Sequence, residues 1–202
     1  MKKVIALFLA FALIMMASSV APALAAKPTT VPCSFTLAAF SNLDPGESWW
    51  TGDGTIFHVR GRTASVGIFP RNNPALLIGE AVGVTDLDFN TKTGQGNAIR
   101  TYTMTFYSPV NYPSRTPAGV PNPFGIGTLE GKAVLKATSL YLNANAGDFT
   151  GLLVATHGTG DFENAKLMAE LEGHPFTLPS PPFPPGTTTI RIFLTGELTF
   201  HE

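Results

Sequence analysis

Arg100-Thr101-Tyr102-Thr103-Met104-Thr105-Phe106 is the stretch that decides the fold class. Tyr102, Met104 and Phe106 fall on one side of an extended chain, and the intervening threonines fall on the other. Successive side chains of a strand point to opposite faces, so this alternation makes one apolar face and one wet face. A helix would scatter the same residues around its axis. Thr, Tyr and Phe also suit a pleated, half-buried surface.

The same period recurs along the chain. In Thr128 to Lys136, Leu129, Ala133 and Leu135 oppose Glu130, Lys132 and Lys136. In Lys166 to Glu172, Leu167, Ala169 and Leu171 oppose Lys166, Glu170 and Glu172. In Ile190 to Phe200, Ile190, Ile192, Leu194, Leu198 and Phe200 oppose Arg191, Thr195, Glu197 and Thr199. Further strands are expected near 34–40, 55–61, 63–69, 76–89 and 148–157, with Gly-rich turns at 91–97 and 143–148. Glycine supplies the positive φ that such turns require. No segment carries a helical period. A meander of this kind has two raw edges and one apolar face to hide, and closing into a barrel hides both. The expected fold is all-β, an antiparallel closed barrel of about eight strands, built by one domain over 27–202.

Two proline-rich stretches interrupt the meander, one holding Pro109, Pro113, Pro117, Pro121 and Pro123, the other Pro175, Pro179, Pro181, Pro182, Pro184 and Pro185. Proline lacks the N–H that a ladder needs, so both read as loops.

Met1-Lys2-Lys3 opens the chain, and an apolar run follows from Val4 to Ala17. Ser18, Ser19, Pro22 and Ala23-Leu24-Ala25 come next. A positive start, an apolar centre and a small-x-small end are the three parts of a secretory signal peptide. Residues 1–26 are read as that peptide, with cleavage after Ala25 or Ala26, so the chain is expected to be secreted or extracytoplasmic. An uncleaved anchor over Val4 to Ala26 is the competing reading, and Pro22 weakens it. No later stretch is apolar enough for a helical span, so no membrane span is expected once the signal is removed.

Charge excludes more. Charged residues are only 13% of the chain, with a net charge of -1. A nucleic-acid partner held through phosphates would need a basic excess, so none is expected. Disorder would need lower hydrophobicity than the 44% observed. Cys33 is the single cysteine, which leaves no intramolecular disulfide, and it reads as a small buried side chain of the first strand.

Gly158-Thr159-Gly160-Asp161-Phe162-Glu163-Asn164-Ala165 resembles the Gly-Thr-Gly-x-Phe-x-x-Ala turn of allene oxide cyclase-like and dirigent-like secreted barrels. His58-Val59-Arg60-Gly61, followed by short Gly-bounded strands, is similar to such domains as well. The resemblance covers short segments and the strand rhythm. It implies a closed eight-stranded barrel with a central cavity, and it transfers no catalytic residue. The motif also has a local physical reading: two glycines permit a sharp bulged turn, and Phe162 plugs a barrel end.

Few residues are candidates for chemistry. Asp86-x-Asp88-x-Asn90 begins like a calcium loop, but Thr91 stands where the turn glycine belongs and Asn97 where the bidentate Glu belongs. His58, His157, His174 and His201 lack zinc-ligand spacing. No metal and no cofactor is expected. No Gly-x-Ser-x-Gly elbow occurs either.

A polar pocket stays open. His58, Arg60 and Arg62 alternate along one strand opposite Phe57 and Val59. Turned inward they would need a carboxylate, because a buried unpaired charge is costly, and Glu80 is the first candidate. Turned outward they form a wet face. Trp49 and Trp50 follow Asp44-Pro45-Gly46 at a loop or strand entrance, where one ring could stack on a ligand. The candidate ligand-binding residues are therefore Trp49, Trp50, His58, Arg60, Arg62 and Glu80.

The leading functional expectation is a non-enzymatic module holding a small apolar or amphipathic ligand in the barrel. The resemblance implies an alternative, a cofactor-independent isomerase or cyclase using the same cavity. A third reading is a structural cell-surface domain with a filled barrel. An interior filled by Leu, Ile, Phe and Met counts against both cavity readings. Ligand identity and oligomeric state stay open.

Overall fold

A computed structural model describes residues 28–111, 116–117, 122–139, 147–177 and 188–201. The expected signal peptide, most of both proline-rich stretches and the 143–146 part of the second turn lie outside these residues. The described chain is all strand and turn. It contains β1 (Thr29–Asp44), β2 (Glu47–Trp50), β3 (Ile56–Pro70), β4 (Leu76–Asn90) and β5 (Gln95–Asn111). Then come β6 (Thr116–Pro117), β7 (Gly127–Ala137), β8 (Phe149–Gly160), β9 (Lys166–Thr177) and β10 (Thr188–Phe200).

Neighbours run β1-β10-β9-β8-β7-β5-β4-β3, and β3 pairs back to β1. Eight antiparallel strands therefore close a barrel. The short β2 extends the β1 edge along β3, and β6 hangs on β5. All expected strands are present; β5 and β9 run on into the proline-rich stretches, taking in Pro109 and Pro175, expected in loops, and 55–61 and 63–69 are a single strand, β3.

Gly61 is the reason. Its φ is +67°, and the β3–β4 register shifts between Val59 and Arg62. This is a bulge with glycine in the left-handed region, which bends the strand without ending it. The strand β1 bends at the same level. Asp44-Pro45-Gly46 turns there, with Gly46 at φ +64° and its N–H donating to Asp44 Oδ1 at 2.8 Å.

Inward side chains form one contiguous cluster in which Phe35, Ile68, Met104, Leu129, Leu167 and Ile192 are fully buried. The Gly158–Ala165 segment caps one end of the barrel. Gly160 and Asn164 both take positive φ, at 63° and 62°. Phe162 N–H then reaches Thr159 O at 3.2 Å, and Ala165 N–H reaches Phe162 O at 2.9 Å. The turn drives Phe162 into the core, with its ring 4.8 Å from Phe106 and 6.1 Å from Phe200. The motif is thus a structural plug.

Toward the other end a polar level crosses the interior. Arg100 is buried, and its guanidinium lies 4.8 Å above the Tyr102 ring. It fills the space over Gly83, where a side chain would collide with it. Burial pushes the Tyr102 hydroxyl pKa up, and Arg100 opposes that push. Beyond this level a smaller cluster of Phe57, Val59, Phe89 and Ala137 closes the wall.

Cys33 is buried opposite Gly196. Burial raises its thiol pKa to about 11. In the folded protein near pH 8 roughly one thiol in a thousand is then ionised. Reaction with a thiol-specific reagent is expected to be far slower than for the denatured chain and to accelerate toward pH 11. Equal rates in the two states would contradict this burial. Phe162→Ala is expected to cost about 3–5 kcal/mol of stability, measured by denaturant unfolding. A loss near zero would mean that the ring is no plug.

Candidate functional site

The Gly61 bulge inverts the side-chain phase of β3. Before it, Phe57 and Val59 are buried while His58 and Arg60 face outward. After it, Arg62 shares the phase of buried Ala64, Val66 and Ile68. The expected common face of His58, Arg60 and Arg62 is therefore split, because one extra residue reverses every position beyond it.

Arg62 lies at the polar level of the interior. Its guanidinium donates to Asn42 Oδ1 at 2.9 Å. Burial first, and the Arg100 charge second, lower its pKa. Glu80 is elsewhere: it is exposed on β4 at the level of Gly67, far along the strand from His58. It is not the carboxylate of this cluster.

That carboxylate is Asp88, which pairs with His58 in register. Asp88 Oδ1 lies 2.6 Å from His58 Nδ1 and accepts a 2.6 Å bond from an Arg60 terminal nitrogen. The other terminal nitrogen of Arg60 donates to Val59 O at 2.8 Å and Leu87 O at 2.9 Å. Partial burial pushes the Asp88 pKa up, but the bonds from His58 and Arg60 outweigh it and hold the value low. Asp86, one step along the outer face, accepts the Gly61 N–H at 2.8 Å and so fastens the bulge.

Trp49 completes the group from β2. It sits opposite His58, with the rings stacked at 5.1 Å and 25°. The Arg60 guanidinium lies 5.7 Å from the same ring. Trp50 takes the opposite side of β2 and packs on Phe57 at 4.9 Å. Even so, Trp49 is 44% exposed and Trp50 41%. A tight hairpin fixes both rings. Asp53 accepts from the Thr51 and Thr55 hydroxyls at 2.7 and 2.6 Å, which holds its pKa down to about 2.

Three strands thus build a charged and aromatic cluster on the outer wall: Trp49, then His58 and Arg60, then Asp88. Its charges answer one another across the strands. Among the described residues, no three His, Cys, Asp or Glu side chains gather as metal ligands. His174 makes a separate group on β9, with Asp148 at 3.0 Å and Glu172 at 3.1 Å, and these bonds raise its pKa. At the plugged end a hollow of about 650 Å³ is lined by Ser34, Pro70, Arg71, Asn72, Asn73 and Phe124, among others. Among the described residues that line it, Arg71 is the charged one, and it stacks 4.9 Å over Phe193.

Asp88 is the member that sequence reading assigned to another pattern, the failed calcium loop. Only the β3–β4 register reveals its partners, and the bulge makes that register unreadable by counting. No protein-family model, curated protein or solved structure matches the chain.

The lowered Asp88 pKa fixes a pH dependence. Its contribution to stability is present above the unfolded carboxylate value, about 3.9, and is lost as pH falls through the lower folded value. Because the carboxylate is half exposed, Asp88→Asn is expected to cost less than about 1 kcal/mol near pH 6. The gap between wild type and variant should narrow as pH falls below the unfolded carboxylate value. A gap that persists unchanged there would contradict the assignment.

Proposed function

We propose that this chain is an exported, non-enzymatic binding module that takes its ligand on the outer wall, at Trp49, rather than inside the barrel. The supporting observation is the fixed exposure of Trp49. His58 and Arg60 hold one face of the ring, and 44% of the side chain still meets water. Leaving so large an apolar surface wet is unfavourable, and burying it against a ligand recovers about 25 cal/mol per Å². Rigid aromatics also bind with little loss of side-chain entropy.

The polar rim narrows the ligand class. Arg60, Asp88 and His58 offer donors and acceptors beside an apolar ring face. An amphipathic ring, with C–H bonds on its face and hydroxyls on its edge, matches both, and a saccharide is the clearest example. The inward side chains form a contiguous buried cluster, which weighs against a ligand held in the barrel. It weighs equally against the cavity isomerase that the sequence resemblance implies.

Tryptophan fluorescence offers a direct test, because the chain's only two tryptophans are Trp49 and Trp50. Titration with a panel of neutral oligosaccharides is expected to shift or quench emission, while a fatty acid of similar size should not. Trp49→Ala should weaken the binding, read by calorimetry, about tenfold or more. Fatty-acid binding that Trp49→Ala leaves intact would restore the interior site. Failure of the whole panel would count against a saccharide.

A further inference from the structure

The outer wall of a small barrel is expected to be polar, and on β5 it is: Thr101, Thr103 and Thr105 face outward. The wall formed by β7, β8 and β9 departs from this. Val134, Leu152, Val154 and Met168 are 62%, 61%, 40% and 53% exposed. They are neighbours by pairing, since Val134 faces Leu152 and Val154 faces Met168. Ile99, 45% exposed, faces Val134 from β5 and extends the band. A contiguous apolar band of this kind marks an interaction surface.

Charges flanking the band select the partner. Outward residues of β7 run Glu130, Lys132, Val134, Lys136, and those of β9 run Lys166, Met168, Glu170, Glu172. Pairing across β8 sets them level. Lys136 and Glu172 both face Thr150, Val134 and Glu170 both face Leu152, and Lys132 and Met168 both face Val154. Glu130 lies past a register shift of β7 against β8, so the level pairing ends there. The two flanks thus carry opposite signs, Lys132 and Lys136 on β7 against Glu170 and Glu172 on β9.

A two-fold axis along β8 would lay the β7 of one copy over the β9 of another. Lys136 would then meet Glu172 of the other copy, and Lys132, lying over Met168, would stand one step along from Glu170. Leu152 and Val154 would meet their own counterparts at the axis. A two-fold across the strands would instead lay β7, with Lys132 and Lys136, on the β7 of the other copy, and β9, with Glu170 and Glu172, on its β9, which gathers like charges. Isologous contact of this kind is the commonest form of oligomer. We infer that the β7–β8–β9 wall is a homodimer interface, with the two-fold running along β8.

Analytical ultracentrifugation of the mature chain is expected to show a concentration-dependent dimer. Lys136→Glu and Glu172→Lys should each weaken it at least about tenfold, because each puts like charges face to face in both symmetric contacts. An equimolar mixture of the two variants should recover the dimer, since both contacts in the mixed pair join opposite charges. Leu152→Lys should abolish it, with circular dichroism confirming the fold. A monomer at every concentration would overturn the inference, and so would a mixture that fails to recover. Wild-type monomer that floats with anionic or neutral lipid vesicles, and loses this with Leu152→Lys, would overturn it in favour of a lipid surface.

Discussion

The bonds between β1 and β3 close the sheet. Phe35 to Ala38 face Pro70 to Gly67, and after a shift Ser41, Asn42 and Asp44 face Ser65, Ala64 and Thr63. Without this seam, β1 and β3 would both be edges, and their polar backbone groups would need other partners. Closure also bends every strand into a wall narrow enough for side chains to meet across it. The contiguous core follows from that narrowness, and so do the positions where the wall must kink.

Gly61 and Gly46 are the kinks that matter most. They face each other at the level where the β1 edge gives way to β2. At Gly46 a side chain would collide with the Arg60 carbonyl, so glycine is required on steric grounds as well as by its φ. The bulge decides which way each charge faces. It sends Arg62 inward to the level of Arg100 and leaves His58 and Arg60 outside under Trp49. The pairing with Asp88 then locks the outer group. The site is a by-product of how the barrel closes, since the kink that curves β3 also sorts its basic residues.

Much of the fold was legible in the chain. Tyr102, Met104 and Phe106 point inward as their alternation requires, and the strands β4, β7, β8 and β10 begin and end close to their expected limits, while β9 runs on from its expected end at Glu172 through Pro175 to Thr177. Strong alternation survives in the structure because a one-residue slip would move an entire apolar face into water. The short β2 was less legible, since four residues carry too little pattern to separate a strand from a loop. The site was legible only in part. Trp49, His58 and Arg60 do meet, but Arg62 and Glu80 do not join them. A bulge shifts phase through one residue's backbone, and composition does not register it.

The sequence by itself determined the class of structure: strands, their faces, the Phe162 turn and a core without helices. Those follow from local period and from glycine's freedom, which act over a few residues. The tertiary structure decided which strands meet, and hence that His58 faces Asp88 across 30 residues. It also decided that Glu80 stands apart, and that the charges of β7 and β9 lie level across β8. Register is a property of pairs of strands, fixed by closure of the whole sheet, and no single stretch of chain contains it.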